Sequence, residues 1–208
     1  MSSPTTTREA LILVDIQNDF CPGGALAVLD GDKILPVANR LAIQFAAAGN
    51  LVVATRDLHP ADHGSFASVA GREVGELGEL GGVPQVFWPD HCVVGTIGAD
   101  YHPDLRVDLI DREFAKGTDA RVDSYSGFYN NDRLSSTGLA EYLRASGVGS
   151  VTIVGLATDY CVAATARDAV AESFTTTVVS EGCRAVDLTP GDGDRALAEL
   201  RQLGVQVV

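Results

Sequence analysis

Short apolar runs alternate along this chain with segments in which apolar residues recur at helical spacing. Residues 10–15 form an apolar run that ends in aspartate, which is typical of a buried strand. In residues 33–49 apolar side chains recur every three or four positions before a Gly-Asn pair, which indicates a helix and its end. The same alternation predicts the remaining elements: strands at 51–55, 108–114, 150–154, 175–180 and 205–208, and helices at 139–146, 161–172 and 195–203.

This order of strands and helices predicts an α/β fold. We expect a single domain with a doubly wound, mainly parallel six-stranded sheet and helices on both faces. Residues 1–9 are polar, so we expect a disordered tail before a domain that spans 10–208. Segment 58–107 breaks the alternation, and its length and its content of glycine and proline predict a functional insertion. Within it, the Gly- and Glu-rich residues 71–83 predict an exposed loop.

Composition narrows the classes of partner. The formal net charge of −13 opposes binding to polyanions, so nucleic acid is not an expected partner. No apolar run approaches the roughly 20 residues that a membrane span needs. The chain has four cysteines and no export signal, so we expect free thiols and a cytoplasmic location.

Histidine is scarce in this chain, yet three of the four histidines lie close together beside an aspartate. Two of them form the pattern Asp57-x-His59-x-x-x-His63, and the third is His91 in the run Trp-Pro-Asp-His. Taken singly, each is more simply a polar loop residue. Together they offer one carboxylate and three imidazoles, the ligands that first-row divalent metals prefer. Because such a set leaves positions free on a six-coordinate ion, it predicts a metal site for catalysis or substrate binding.

Four chemically capable side chains fall at the ends of predicted strands: Asp15, Asp57, Lys116 and Cys161. In open α/β sheets, ligands bind at the carboxyl ends of the strands, where these residues would meet. The dipole of a following helix, together with a nearby Lys116, would favour the Cys161 thiolate, and Asp15 can accept its proton. Backbone N–H groups around Ala157 and Cys161 can form an oxyanion hole. The alternatives are ordinary: a cysteine that fills the core, an aspartate that caps a helix and a lysine on the surface.

Six runs along the chain carry a resemblance to a known family. They are Val-Asp-Ile-Gln-Asn-Asp-Phe at 14–20, Arg-Asp-Leu-His-Pro at 56–60, His-Gly-Ser-Phe at 63–66, Trp-Pro-Asp-His-Cys at 88–92, Asp-Ser-Tyr-Ser at 123–126 and Gly-Leu-Ala-Thr-Asp-Tyr-Cys at 155–161. In this order, from about residue 10 to the C-terminus, they resemble the nicotinamidases (pyrazinamidases) of the isochorismatase-like cysteine hydrolase family. The resemblance implies the isochorismatase-like, Rossmann-like form of the predicted fold.

The resemblance also implies roles for particular residues. Asp15, Lys116 and Cys161 would form a catalytic triad, with a cis peptide entering Ala157 that turns the oxyanion donors inward. One divalent ion, which is zinc, iron or manganese across the family, would coordinate the ring nitrogen of the substrate. The resemblance implies these ligands for it: Asp57, His59, His63 and His91.

The implied reaction is the hydrolysis of nicotinamide to nicotinate and ammonia, and of pyrazinamide to pyrazinoate, through a thioester on Cys161. It would serve NAD salvage. Phe20, Trp88 and Tyr125 are expected to line a slot for the flat ring of this small-molecule substrate. Whether the protein is a monomer or a homo-oligomer stays open.

Two other classes of function remain open at this point. The first is a related hydrolase that acts on another substrate, such as an isochorismate vinyl ether or an N-carbamoyl amide. Those relatives need no bound metal, so the aspartate and histidine set speaks against them. The second is a non-enzymatic metal-binding or scaffold protein, which would have no use for the triad.

Overall fold

The computed structural model describes residues 8–208. The expected tail at 1–7 lies outside these residues, but Arg8 and Glu9 belong to the first strand, so the folded domain begins earlier than residue 10. Both residues pair with a parallel neighbour, Arg8 with Val148 and Glu9 with Ser150. Their polar side chains are exposed at the sheet margin, and a pattern of apolar residues therefore does not reveal that their backbone belongs to the strand.

The described residues form eight strands and five α-helices. The strands are β1 (Arg8–Val14), β2 (Leu51–Asp57), β3 (Leu77–Leu80), β4 (Val83–Val86), β5 (Arg112–Lys116), β6 (Val148–Leu156), β7 (Thr175–Arg184) and β8 (Gln206–Val207). The helices are α1 (Leu35–Ala47), α2 (Ala67–Ala70), α3 (Leu139–Ala145), α4 (Ala163–Ala171) and α5 (Asp192–Gln202). None of these helices is both long enough and apolar enough to cross a membrane.

The main sheet has six strands in the order β5-β2-β1-β6-β7-β8, and every pair of neighbours is parallel. The predicted six-stranded sheet is therefore confirmed. From β1 the chain builds outward through β2 and β5, and it then crosses to β6 and builds outward on the other side. The order of strands thus reverses between β1 and β6, which is where ligands bind in sheets of this kind.

Two hydrophobic cores cover the two faces of the sheet. Alternate β1 residues Ala10, Ile12 and Val14 belong to one core, together with buried residues of α3, α4 and α5. The intervening Leu11 and Leu13 belong to the other core, with buried residues of α1. Because successive side chains of a strand point to opposite faces, one strand serves both cores. The prediction of helices on both faces is confirmed.

Two predicted elements, a strand and a helix, begin later in the chain than expected. The strand expected at 108–114 is β5 at Arg112–Lys116, and it follows a short 3₁₀ turn; only Phe114 and Lys116 of β5 are buried, so its apolar pattern is weak. The helix expected from 161 begins at Ala163, after a π-helical turn over Thr158–Val162.

The segment 71–83 is not simply a loop, because it contains β3 and the turn of an antiparallel β3–β4 hairpin. Gly81 and Gly82 form this turn with φ of 63° and 81°. Positive φ at both central residues is the requirement of a tight two-residue hairpin turn, and a Gly-Gly pair meets it without steric cost.

Candidate active site

The carboxyl ends of four neighbouring strands bring four buried side chains together. Asp15 follows β1, Asp57 ends β2, Lys116 ends β5, and Cys161 lies in the π-helical turn after β6. Their residues are between 0% and 6% exposed. The sequence prediction that these side chains share one edge of the sheet is confirmed.

Lys116 is the centre of this cluster. Its Nζ donates to Asp57 Oδ1 at 2.5 Å, to the Ser124 carbonyl at 3.0 Å and to Cys161 Sγ at 3.5 Å. It also lies 2.9 Å from Asp15 Oδ2, an ion pair in which that oxygen accepts no hydrogen bond from a described residue. An ammonium has three N–H bonds, and the other three contacts use them. Asp15 Oδ2 is therefore held by charge while its lone pairs stay available for a proton.

Electrostatics keep Lys116 protonated. Burial opposes the charged ammonium, but Asp15, Asp57 and Cys161 together hold the pKa of Lys116 well above its usual value. Burial also raises the pKa of Asp15, against the lowering effect of the Lys116 charge. A carboxylate whose pKa is raised is a better proton acceptor than an ordinary aspartate. The other Asp15 oxygen, Oδ1, accepts a hydrogen bond from Thr55 Oγ1 at 2.7 Å, which orients the carboxylate.

The expectation that the Cys161 thiolate is favoured at rest is wrong. Burial raises the pKa of Cys161 well above its ordinary value, although Lys116 acts in the opposite direction. Cys161 lies inside the π-helical turn and is 6% exposed, so it lacks the solvation that stabilises a thiolate. Its sulfur and a carboxylate oxygen of Asp15 lie within 4.8 Å of each other. Asp15 is therefore close enough to accept the proton of this thiol.

The peptide bond between Leu156 and Ala157 is cis, as expected. Ala157 is buried and lines the same cavity as Cys161. The two residues whose backbone N–H groups were expected to hold an oxyanion therefore border one space.

The three predicted histidine ligands form a group of neighbouring rings, packed at an angle to one another, next to this cluster. The ring centroids of His59 and His63 lie 4.2 Å apart, and those of His59 and His91 lie 4.9 Å apart. His59 Nδ1 contacts the Gly117 carbonyl at 2.8 Å, and His91 Nδ1 contacts the Pro89 carbonyl at 2.7 Å. Carbonyl oxygens only accept hydrogen bonds, so each Nδ1 carries the proton and each Nε2 keeps a lone pair.

The Nε2 atom of His63 is the clearest candidate for a metal-binding atom. Its Nδ1 contacts Ser65 Oγ at 2.7 Å, while its Nε2 is buried and has no hydrogen-bond partner among the described residues. Burial, followed by the charge of His91, lowers the pKa of His59 to about 3. Burial also lowers the pKa of His63, so His59 and His63 are held towards the neutral form, which is the form that binds metal ions.

The predicted metal ligands do not all converge on one point. Ligand atoms of Asp57, His59 and His91 lie within 4.8 Å of one another, whereas His63 forms such a group with His59 and Asp123. Asp123 is a buried carboxylate that the sequence prediction did not include among the ligands. Burial acts to raise the pKa of Asp123, but the neighbouring imidazoles of His59 and His63 and the hydrogen bonds from Gln85 and the Ser124 N–H lower it overall. Its only signal in the sequence was its place in the Asp-Ser-Tyr-Ser run.

One cavity is lined by Cys161 and also by His59 and His91. Cys161 and Ala157 border it on one side and Asp57, His59 and His91 on another. The predicted ring-slot residues all line it: Phe20, Trp88 and Tyr125. The prediction missed four further lining residues: Leu26, Asp123, Tyr160 and Val186. Tyr160 packs edge to face against Trp88, with ring centroids 4.9 Å apart, and against Tyr125 at 5.4 Å.

This arrangement combines covalent and metal-assisted chemistry in one enclosed space. A buried thiol with an adjacent proton acceptor and a fixed cation can attack an acyl carbon. A cluster of imidazoles and carboxylates a short distance away can hold a divalent cation, and the aromatic walls between them fit a flat ring.

Comparison with known proteins gives consistent matches over almost the whole chain. A family model for the isochorismatase domain matches residues 9–208. The nicotinamidase of Escherichia coli (strain K12) is 47% identical over 195 residues, which cover 94% of this chain and 92% of that protein. The structure of Acinetobacter baumanii nicotinamidase pyrazinamidase superposes with a TM-score of 0.92 at 43% identity, covering 98% of this chain and 97% of that one. The pyrazinamidase of Pyrococcus horikoshii, solved in complex with zinc, superposes with a TM-score of 0.80 at 40% identity, covering 97% and 98%.

Proposed function

The chain belongs to the isochorismatase domain family, and from that premise we propose that it is a metal-dependent nicotinamidase and pyrazinamidase. It hydrolyses nicotinamide to nicotinate and ammonia, and pyrazinamide to pyrazinoate and ammonia, and it serves NAD salvage in the cytoplasm. The observation that carries the proposal is the single cavity that joins the Cys161 cluster to the imidazole cluster. The four cysteines are all free thiols, in keeping with a reducing compartment.

In the first half of the reaction, Asp15 Oδ2 accepts the proton of Cys161 as the sulfur attacks the carboxamide carbon. A C–S bond forms, and backbone N–H groups of Ala157 and Cys161 stabilise the resulting oxyanion. Lys116 stabilises the negative charge shared by Asp15 and Cys161 throughout. The tetrahedral intermediate collapses when the C–N bond breaks, and the proton held by Asp15 leaves with ammonia.

In the second half, water cleaves the thioester. Asp15 accepts a proton from the attacking water, a C–O bond forms, and the C–S bond breaks as the nicotinate is released. The proton on Asp15 then returns to Cys161, which restores the resting thiol. Because burial raises the pKa of Cys161 well above its ordinary value, the resting proton belongs on sulfur.

The imidazole cluster fits a divalent ion, as the unpartnered Nε2 of His63 and the proton-bearing Nδ1 atoms of His59 and His91 show. We propose that Asp57, His59 and His91, whose ligand atoms lie within 4.8 Å of one another, hold it together with the adjacent His63. When bound, the ion supplies a Lewis-acid position for the ring nitrogen of the substrate. Nitrogen and oxygen donors suit zinc, iron and manganese alike. Asp57 also accepts the Lys116 hydrogen bond, so one carboxylate links the two clusters.

The ring lies between the clusters, against Phe20, Trp88 and Tyr125. These side chains exclude water from the scissile bond and restrict the plane of the ring. Correct placement of a substrate against a nucleophile can lower a barrier by several kcal/mol, on the order of 7–11 kcal/mol in well-oriented model reactions. Their role is therefore orientation.

A comparison of three amides tests the proposal. Nicotinamide and pyrazinamide each have a ring nitrogen meta to the carbon that bears the carboxamide, whereas benzamide has the same shape and scissile bond without that nitrogen. With zinc-loaded protein, kcat/KM measured by ammonia release should be at least about a hundredfold lower for benzamide than for nicotinamide. Benzamide has no ring nitrogen to offer to the metal ion, so it loses that interaction. Comparable values would show that the aromatic slot selects the substrate. Turnover of isochorismate without any turnover of nicotinamide would reject the proposed function.

A further inference from the structure

The β3–β4 hairpin contributes one buried polar side chain to the neighbourhood of the cavity. Gln85 of β4 is 2% exposed. Its Nε2 lies 2.8 Å from Asp123 Oδ2, 3.3 Å from the Tyr125 hydroxyl oxygen and 2.6 Å from the Val86 carbonyl oxygen. One amide group therefore touches both a carboxylate of the imidazole cluster and an aromatic wall of the ring slot.

The orientation of this amide is determined by its surroundings. With its nitrogen toward Asp123 and the Val86 carbonyl, Gln85 donates to two oxygens that can only accept. Reversing the amide would set its oxygen against those two oxygens at the same short distances. The actual Oε1 is buried and has no partner among the residues the structure describes. The side chain thus leaves its own acceptor unsatisfied and shares its two N–H bonds among three oxygens, of which the Tyr125 hydroxyl is the most distant at 3.3 Å.

Two further contacts extend this arrangement across the site. The Tyr125 hydroxyl accepts a hydrogen bond from Trp88 Nε1 at 3.1 Å, which joins two residues of the ring slot. On the other side, Asp123 belongs to the group of ligand atoms with His59 and His63. The chain of contacts therefore runs from the imidazoles through Asp123, Gln85 and Tyr125 to Trp88.

We propose that Gln85 is a positioning residue that holds the ring slot at a fixed place relative to the metal-binding imidazoles. It acts through Asp123 on one side and Tyr125 on the other, and it touches neither the substrate nor the reacting atoms. The inference rests on the proposed function for its effect on substrate binding, but its effect on metal binding stands independently. The proposal also assigns a role to the β3–β4 hairpin, which places the Gln85 amide at this position.

The test replaces Gln85 with a side chain of similar volume that has no N–H bonds, Gln85→Met. Zinc affinity is measured by competition with a chromophoric chelator, and it should fall about tenfold or more, as expected when a carboxylate beside metal-binding histidines loses its hydrogen bond. In zinc-saturated protein, KM for nicotinamide should rise about fivefold to tenfold while kcat changes by less than about twofold, because the chemistry at Cys161 is untouched. In a Tyr125→Phe background the same substitution should raise KM by a smaller factor, since the two effects share one contact.

Glu79→Gln is the matched control, because Glu79 lies exposed on the same hairpin, and it should leave both quantities unchanged. If Gln85→Met does not fold, Gln85→Asn shortens the side chain so that it cannot reach both partners, and it should shift both quantities in the same directions. Wild-type zinc affinity and KM in a folded Gln85 variant would overturn the inference and leave Gln85 a packing residue. Weakened zinc binding in a chain that never hydrolyses nicotinamide would support the metal half of the inference and reject the proposed function.

Discussion

Cys161 lies beside two buried carboxylates, Asp15 and Asp57, and the buried ammonium of Lys116. Its reactivity therefore depends on all three groups. Lys116 favours the thiolate, while burial and the negative charges of Asp15 and Asp57 favour the thiol. A resting thiol is inert towards oxidants and metal ions, because the thiolate is the reactive form. The arrangement therefore limits nucleophilicity to the moment when a bound amide lies against the sulfur and Asp15 takes the proton.

Cys161→Ala should lower kcat/KM for nicotinamide by at least about a hundredfold, because it removes the covalent step. The zinc content and the thermal unfolding curve should stay close to those of the wild type, since the alanine keeps the cluster buried. Cys21→Ala serves as the control: it removes another buried thiol, outside the triad, and should retain most activity. A Cys161→Ala protein with more than about a hundredth of wild-type activity would refute the nucleophile assignment.

The site residues that could be predicted from the sequence are those whose position follows from the ends of strands. Asp15, Lys116 and Cys161 come together because parallel strands place their carboxyl ends at one edge, so the order of elements suffices. Asp123 lies on a connection and Gln85 on the β3–β4 hairpin, and their contact depends on how two separate segments fold back over the sheet. No spacing rule expresses such a contact. The protonation of Cys161 was mispredicted for a related reason, since burial is a property of the folded chain.

The buried imidazole of His59 makes the metal-free protein sensitive to acid. The pKa of His59 is about 3 in the folded protein, whereas the ordinary value for histidine is 6.5. Between these two pH values the unfolded chain binds a proton at His59 that the folded chain does not bind. The contribution of His59 to the free energy of unfolding is therefore fully present above pH 6.5. It is lost as the pH falls towards 3, and the loss is on the order of a few kcal/mol. Urea denaturation of chelator-treated protein at pH 7, 5.5 and 4 should show this loss.

A His59→Gln variant separates this histidine from the other titrating groups. It removes the proton-binding group, so its stability should fall less steeply over the same range of pH. His102→Gln alters a histidine outside the imidazole cluster and should follow the wild-type curve. Parallel curves for wild type and His59→Gln would contradict the assignment.

The backbones of β1 and β6 lie very close together next to the site, at Val14 and Gly155. Gly155 in β6 has φ of 140°, and a Cβ on it would lie 2.0 Å from the Val14 carbonyl oxygen. The two strands flank the point where strand order reverses, and Asp15 and Ala157 follow them directly. A side chain at 155 would therefore separate the strand ends that hold the proton acceptor and the oxyanion donors.

Gly155→Ala should lower the free energy of unfolding by roughly 2–4 kcal/mol, through backbone strain and overpacking together. Activity should fall as well, because the strand ends shift. Gly147→Ala is the matched control, since Gly147 also has positive φ, of 74°, but a Cβ there meets nothing within 4 Å. Chemical denaturation of both variants separates the two causes. Equal losses of stability in the two would show that the close contact with Val14 carries no cost.

The elements that the sequence predicted well are those that bury a complete face. Predicted and observed bounds of β2, α3 and α5 agree within a few residues, because their apolar residues follow the period of the element. β5 was displaced because it is an edge strand with two buried side chains. The β3–β4 hairpin was missed because its one buried residue, Gln85, is polar and the others are half-buried or exposed, so it shows no apolar pattern.

The whole molecule divides the site between two parts of the chain. The sheet supplies Asp15, Lys116 and Cys161, whereas the insertion after β2 supplies His59, His63 and His91. The net charge of −13 acts on both parts, because it attracts divalent cations to the protein and repels an anionic product such as nicotinate. A neutral amide experiences neither effect. Long-range electrostatics therefore favour loading of the metal and release of the product.

Because the imidazole ligands come from the insertion, bound zinc should stabilise the insertion more than the sheet. Backbone bonds from His59 N to the Cys92 carbonyl and from Trp88 N to the Ser65 carbonyl already tie it together. A free zinc concentration about a hundredfold above Kd adds about 2.7 kcal/mol against any opening that releases the ion. Amide hydrogen exchange in residues 59–66 and 88–94 should then slow by about a hundredfold, while β1 and β6 change little unless they exchange through global unfolding.

A His59→Ala variant is the control for this experiment, because it has lost one ligand and should show no such dependence on zinc. The outcome decides whether the ion organises the insertion or only occupies a site that the backbone has already formed. Equal slowing at every amide would mean that the insertion and the sheet open together as one unit. The absence of any slowing in a protein that demonstrably binds zinc would mean that the histidines hold their positions without it, and the ion's contribution would then be confined to the substrate.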